Sequence, residues 1–456
     1  MNIDTIKKIH FIGIGGIGLS AIARLMKESG KEISGSDLSA SLMTDKLEKL
    51  GVKIFIGQSE ENISQDIDLV IHTTAVPKNN IEIEKARKLK IKTITYPESL
   101  GLIFNDKYGI AVCGTHGKSS VSAMAGLLLD DVGLDPSIIV GSIVPRYDSN
   151  LRIGKSKYFV VEACEYERSF LNLYPKIIIL NNIELDHTDY YKDIDDMRSA
   201  FGEFVGHLPE DGILIYNGDD KVVSSIKYQV SSVVKFGLSE TNNVRADNIE
   251  FGDGEVKFNV VYNNKDLGEF VLKVPGMFNI YNALGVISLG LILEIPVEII
   301  KKSLENYSGI WRRFEIKGEY KRALVISDYA HHPTEVKATI EAAGQFYPDK
   351  RIFAVFQPHQ HNRTKKLYQD FLNSFDSADV VILSEIFDVA GREESDDQSV
   401  SSLDLVNDLK KGHKRIFYAK DLEETRKLID EKIEPGDVLL IMGAGDIYKV
   451  ADELVK

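Results

Sequence analysis

Three times along the chain an apolar run of strand length ends in a glycine turn and passes directly into a helical pattern: at Gly13-Ile14-Gly15-Gly16-Ile17-Gly18, at Gly114-Thr115-His116-Gly117-Lys118-Ser119 and at Gly443-Ala444-Gly445-Asp446. A strand that enters a helix through glycines is the opening of a βαβ unit. The same rhythm continues around each turn. Strand-like runs at residues 9–14, 32–36 and 69–73 enclose a helical pattern at 20–29. Further runs at 109–113, 158–161, 177–180 and 213–216 surround a small-residue helix reaching residue 129, and runs at 323–327, 351–356, 380–384, 415–418 and 438–442 alternate with charged helical stretches. The pattern predicts an α/β protein of three domains, spanning residues 1–107, 108–307 and 308–456. Length agrees, since 456 residues at roughly 100 to 200 per domain make two to four units. Polar–apolar alternation over 244–274 adds hairpins to the central unit, with turns at Asp253-Gly254 and Asn263-Asn264.

Charge narrows the ligands. A formal net charge of −14 argues against nucleic acid, whose backbone calls for a basic surface, so anionic ligands must meet local sites. Cys113 and Cys164 are the two cysteines, and a chain this long needs no disulfide staple, which fits a reducing compartment. Residues 1–8 carry charge without the apolar core of a secretory signal, and no apolar run reaches membrane-spanning length. A cytoplasmic protein is expected, with neither membrane nor nucleic acid as partner.

Gly13, Gly15 and Gly18 form G-x-G-x-x-G, and Asp37 ends the next strand, where dinucleotide folds place a ribose-binding acid. Glycines let the backbone approach a diphosphate at a helix N-terminus, and UDP satisfies that as well as a dinucleotide does. The second turn is more informative. Its backbone N–H groups would cradle phosphates, Lys118 would neutralise their outer oxygens, and the Ser119 hydroxyl would reach Mg²⁺. The full G-x-x-x-x-G-K-[ST] spacing is not met, because Val112 stands five residues before Gly117. Glu162 and His187 each follow a strand and could join Ser119 at a metal, with Asp186 and Asp189 as rival carboxylates. Arg312-Arg313-Phe314-Glu315 opens the third unit and Asp328 to Pro333 follows one of its strands. An arginine at a domain junction can balance charge spreading over a transferring phosphoryl group. His331 and His332 are adjacent and point in different directions, which disfavours a two-histidine chelate. The Gly443 turn reads as structural.

Taken in order, these residues resemble the Mur ligase family, and the resemblance runs over almost the whole chain. It includes Glu162-Ala163, Asn182-Ile183-Glu184-Leu185-Asp186-His187, Phe356-Gln357-Pro358-His359 and Arg363-Thr364 besides the turns. It implies a Rossmann-like, UDP-sugar-binding N-terminal domain, a P-loop ATPase-like central domain and a Rossmann-like C-terminal domain that closes over the site. It also assigns the first turn to UDP instead of NAD. Carried over residue by residue, it places the UDP-sugar at Gly15, Gly16, Ile17, Gly18, Asp37, Thr74, Glu165 and His187. ATP falls to Gly114, Thr115, His116, Gly117, Lys118, Ser119, Ser120, Asn279, Asn282, Arg313 and Asp328, and Mg²⁺ to Ser119, Glu162 and His187. Tyr329, His359 and Arg363 face the amino acid, while Lys118, His187, Arg313, His331 and His332 take the catalytic roles.

A carboxylate is a poor acyl donor and needs activation. The activity implied is ATP-dependent ligation of L-alanine to the carboxylate of UDP-N-acetylmuramate through an acyl phosphate. That is a step of peptidoglycan precursor synthesis, and so of cell wall biogenesis and cell division, by a monomer or homodimer. The alternatives are a murein peptide ligase, a ligase using L-serine or glycine, and an NAD-dependent oxidoreductase, which would leave the Gly-Lys-Ser loop unexplained. Departures from the family pattern are Cys164, Tyr166 and Glu167 after Glu162, the stretch Gln360-His361-Asn362 before Arg363, and Phe278 in place of a histidine. They spare the phosphate loop and fall on the side of the incoming amino acid.

Overall fold

The computed structural model describes residues 3–187, 190–252, 254–387, 400–412 and 415–456. Three sheets follow one another along the chain. The first has five parallel strands in the spatial order Lys53–Ile56, Glu32–Asp37, Lys8–Ile12, Leu69–His72, Lys92–Thr95. Ile9, Phe11 and Ile12, like Leu69, Val70 and Ile71, are buried without alternation, as expected of strands covered on both faces. The chain runs outward from Lys8–Ile12 to one edge, then returns to Leu69–His72 and the other edge. The two strands flank a topological switch point, and the first glycine turn opens there.

The central sheet has ten strands. Its core is parallel and contains, side by side, Ile177–Leu180, Tyr108–Cys113 and Tyr158–Glu162. Gly114, Asn181 and Glu162 therefore emerge together at the carboxyl ends of neighbouring strands. The expected hairpins are present as the antiparallel meander Val244–Gly252, Glu255–Tyr262 and Lys265–Leu272; of the two turns, Asp253 lies outside the described residues. Ser137–Val144, Ser149–Arg152 and Ser232–Gly237 are strands that apolar patterning did not mark. Helix Lys118–Asp131 is buried from Ser119 to Leu129 and packs on Met277–Ile292 and Val297–Glu305, which explains its small and aliphatic residues.

The third sheet runs Glu315–Tyr320, Ala323–Asp328, Val438–Met442, Ile352–Phe356, Val380–Ser384, Ile416–Ala419, antiparallel only at its first strand. Between the second and third sheets the backbone bends through left-handed Gly309, Arg312 and Phe314 (φ +87°, 56° and 48°). The central domain grips the linker: Trp311 N–H donates to Ile143 O (3.0 Å) and Ser142 Oγ donates to Trp311 O (2.7 Å). Among the described residues, no helix is long and apolar enough to cross a membrane.

Candidate functional site

The loop after Tyr108–Cys113 turns on Gly114 (φ 140°) and Gly117 (φ 81°), conformations that L side chains rarely adopt. A Cβ at Gly117 would collide with the side-chain amides of Asn181 and Asn282. Helix Lys118–Asp131 begins there without a side-chain cap, so its first N–H groups are disposed toward an anion. The loop is pinned from below. His116 N–H donates to Asn182 Oδ1 (2.8 Å), and the Asn181 and Asn182 amides donate to His116 O (3.2 and 3.1 Å). Lys118 Nζ folds onto the loop, donating to Gly114 O (2.7 Å), Thr115 O (3.0 Å) and Glu165 Oε1 (2.9 Å). Burial would discharge this amine, but the Glu165 carboxylate holds its pKa above the ordinary lysine value.

Opposite the loop stands the C-terminal domain, and between them lies a cavity of about 270 Å³. Gly117, Ser120, Asn279 and Asn282 line one side of it, Arg313 and Asp328 the other. On its wall the amides form a relay: Asn181 Nδ2 donates to Asn282 Oδ1 (2.7 Å), Asn282 Nδ2 to Asn279 Oδ1 (3.0 Å), and Asn279 Nδ2 to Pro275 O (2.8 Å). Phe278 also lines the cavity, supplying an apolar face where a histidine was expected. Asp328 accepts from Phe314 N–H (2.6 Å) and Ala330 N–H (2.7 Å), and burial pushes its carboxyl up to about 6 against the pull of Arg313. Arg313 reaches Glu335 Oε1 (3.4 Å) and lies over the Tyr329 ring (5.3 Å). Burial lowers both histidines of the pair, His331 to about 4, so both rings are neutral near pH 7. His332 caps helix Pro333–Phe346, accepting from Thr334 N–H (3.3 Å), and leaves a buried Nε2 with no hydrogen-bond partner among the described residues.

A second focus forms around Glu165, which meets Lys118 and, at 3.2 Å, His187 Nε2. Asp186, just before His187 in the chain, accepts from Arg363 Nη2 (3.1 Å) and Nε (3.3 Å), so the C-terminal domain also docks here. Burial alone would raise the Asp186 carboxyl; Arg363, with His187 and His331, holds it well below the usual range. His359 touches Arg363, Nδ1 to Nη1 at 3.3 Å. Tyr166, a departure from the family pattern, lies against the His187 ring (4.9 Å), while Cys164 is exposed. Glu167 and Arg168 are consecutive left-handed residues (φ 50° and 53°), held by Arg168 pairing with Asp196 (2.6 Å) and Glu203 (3.1 Å). Gln360, another departure, is left-handed (φ 72°) and buried at the start of helix His361–Lys366.

The expected metal residues take different neighbours. Ser119 is buried at the loop, Glu162 Oε2 accepts from Gly141 N–H (2.7 Å), and His187 joins Glu165 instead of Glu162. Asp186 is committed to Arg363, and Asp189 lies outside the described residues. Among the described residues, the histidine–carboxylate group whose ligating atoms come within 4.8 Å of one another is His116, Glu184 and His332. Both His116 nitrogens already face carboxylates, Glu184 Oε2 at 2.9 Å and Glu335 Oε1 at 3.1 Å. Glu335 and Asn181 were not singled out from the sequence. Glu335 lies in the first turn of its helix, where an acid has an ordinary structural reason to stand.

At the N-terminal turn, Asp37 Oδ2 accepts from Gly15 N–H (2.8 Å), Gly16 precedes helix Ile17–Glu28, and Thr74 is exposed beyond Leu69–His72. Gly18 has a packing role, since a Cβ there would strike Tyr96. Asn150 Nδ2 donates to Ile17 O (2.7 Å) and Arg24 Nη1 to Ser149 Oγ (2.6 Å), tying this turn to the central domain.

Comparison with known proteins fits this arrangement. Family models match in the order of the three sheets: "Mur ligase family, catalytic domain" over residues 8–108, "Mur ligase middle domain" over 112–290 and "Mur ligase, glutamate ligase domain" over 312–445. The chain is 42% identical over 452 residues to a UDP-N-acetylmuramate–L-alanine ligase of Sulfurihydrogenibium sp. (strain YO3AOP1), covering 99% of this chain and 98% of that one. It is 44% identical over 457 residues to the protein of the same name from Clostridium kluyveri, covering 99% of each. The crystal structure of the UDP-N-acetylmuramate–alanine ligase of Thermotoga maritima superposes with a TM-score of 0.84 at 30% identity, over 98% of both chains. A murein peptide ligase from Psychrobacter arcticus shares the fold (TM-score 0.73, 22% identity, 98% of both chains). With three domains in sequence, a glycine loop facing a cavity that the third domain closes, and relatives alike from end to end, this chain belongs to the Mur ligase family.

Proposed function

We propose that this protein joins L-alanine to the carboxylate of UDP-N-acetylmuramate at the expense of ATP, as a cytoplasmic step of peptidoglycan precursor synthesis. The observation that carries the reading is identity of 42–44% over at least 98% of both chains to proteins named for that reaction. The geometry supports it. ATP occupies the cavity, with its phosphates on the uncapped start of helix Lys118–Asp131 and its adenine at the Asn279–Asn282 amides, which can donate and accept at once. UDP lies on the first glycine turn. The three sheets support domain limits near residues 107 and 307.

The muramate carboxylate attacks the γ-phosphorus of ATP, ADP leaves, and an acyl phosphate forms. Lys118 leaves Glu165 for the phosphate oxygens, and Arg313 balances the charge from the opposite domain. The alanine amine, once deprotonated, attacks the acyl carbon and expels phosphate. Arg363, His359 and Tyr329 orient the amino acid, and closure of the C-terminal domain keeps water from the acyl phosphate. The donors Ser119 and Glu162 suit Mg²⁺, which prefers oxygen, with His187 as a nitrogen ligand; the bound ion would neutralise phosphate charge. Phosphate release is measured with ATP, Mg²⁺, UDP-N-acetylmuramate and each of L-alanine, L-serine and glycine. Release that depends on L-alanine is expected. Release with serine or glycine alone would reassign the amino acid, and none with any of the three would end the ligase reading.

A further inference from the structure

The loop histidine lines the wall of the cavity where the central and C-terminal domains meet. Its two ring nitrogens face two carboxylates belonging to different domains: Nε2 meets Glu184 Oε2 at 2.9 Å in the central domain, and Nδ1 meets Glu335 Oε1 at 3.1 Å in the C-terminal one. A neutral imidazole donates from one nitrogen only, so with both carboxylates ionised this arrangement calls for the imidazolium. The contact is part of a closed ring. Glu184 uses its other oxygen to accept from Thr334 Oγ at 2.6 Å, and Thr334 precedes Glu335 in the first turn of helix Pro333–Phe346. Glu335 in turn faces Arg313 Nη1 at 3.4 Å and accepts from His331 N–H at 3.2 Å. The backbone of His116 is fixed by three bonds to Asn181 and Asn182, so the side chain is presented from a rigid loop.

We propose that the His116 imidazolium is a positioning group that couples the phosphate loop to the C-terminal domain, ordering Glu335 and through it Arg313 over the nucleotide cavity. The inference rests on ATP occupying that cavity and goes beyond it. Domain closure is not left to substrate contacts alone, because the loop that receives the phosphates also carries the cation that holds the opposite domain. Charge-assisted bonds at both nitrogens make the link directional as well as ionic. Closure therefore sets the arginine in place only when the loop itself is correctly formed.

The test is a double-mutant cycle on the full chain with His116→Asn, Glu335→Gln and both together. It records steady-state kcat and KM, affinity for a non-hydrolysable ATP analogue, and UDP-N-acetylmuramate affinity. Expected are a fall in kcat of about 10- to 100-fold for each single variant and unchanged UDP-sugar affinity. The double variant should be no worse than the poorer single one, since residues acting as a unit are not additive. His116→Lys, which keeps a cation but offers one head to two carboxylates, should recover part of the loss. Full turnover by His116→Asn, or losses that multiply in the double variant, would overturn the coupling. A lack of phosphate release by the unaltered protein would instead strike the ligase reading, so the two failures are distinct. Far-UV dichroism matching the parent separates loss of coupling from loss of fold.

Discussion

Gly117→Ala measures how tightly the loop is fitted to the amides behind it. The residue is left-handed (φ 81°), which costs an L side chain about 1–2 kcal/mol. Its new Cβ would also meet Asn181 Nδ2 and Asn282 Oδ1, the two atoms that hydrogen-bond each other at 2.7 Å. Separating them strands a buried donor or acceptor, at about 1–3 kcal/mol. The sum, about 2–5 kcal/mol, corresponds to roughly 30- to several-thousand-fold if it appears wholly in nucleotide affinity. Gly133→Ala is the matched control: the same backbone region (φ 79°) with nothing within 4 Å of the Cβ. Calorimetric titration with a non-hydrolysable ATP analogue should find Gly133→Ala within about threefold of the parent and Gly117→Ala weaker by at least about tenfold. Equal losses in the two variants, or parental affinity in Gly117→Ala, would refute the claim that the amides brace the loop.

Lys118→Ala should abolish phosphate release while UDP-N-acetylmuramate affinity, measured by the same titration, survives; loss of both would refute separate sites for the two nucleotides. Burial would lower the His116 pKa, but Glu184 and Glu335 raise it to about 9, above the unfolded value of about 6.5. Its contribution to closure is therefore complete below about pH 6.5 and lost as pH rises through about 9. Interdomain energy transfer between labelled domains should fall over that range, with Glu184, Glu335 and neighbouring His332 as the groups facing the ring, and His116→Asn should lack the transition. Arg363→Leu removes the arginine that pairs buried Asp186 and leaves it the His187 N–H (2.7 Å), a loss on the order of 3 kcal/mol that urea unfolding would register; a change under about 1 kcal/mol would mean the pair is not buried in solution.

What could be read from the sequence follows from where each signal is written. Strands covered on both faces, such as Ile177–Leu180 and Val438–Met442, spell their burial as unbroken aliphatic runs, and glycine turns announce left-handed backbone. Glu315–Tyr320 is half exposed at a sheet edge and has no such run, while Ser232–Gly237 buries only its last two residues. The loop residues Gly114, Gly117 and Lys118 were legible because one local segment carries the whole motif. Glu335 was not, because its role depends on a histidine 219 positions earlier, and nothing within its own helix distinguishes it from an acid favoured by the helix dipole. The same logic explains why His116 looked like one more phosphate-loop residue. Spacing gives the backbone path of a loop, but the direction of its side chain depends on what the next domain places opposite. At this junction the C-terminal domain places a carboxylate there, which turns a binding-loop residue into a link between domains.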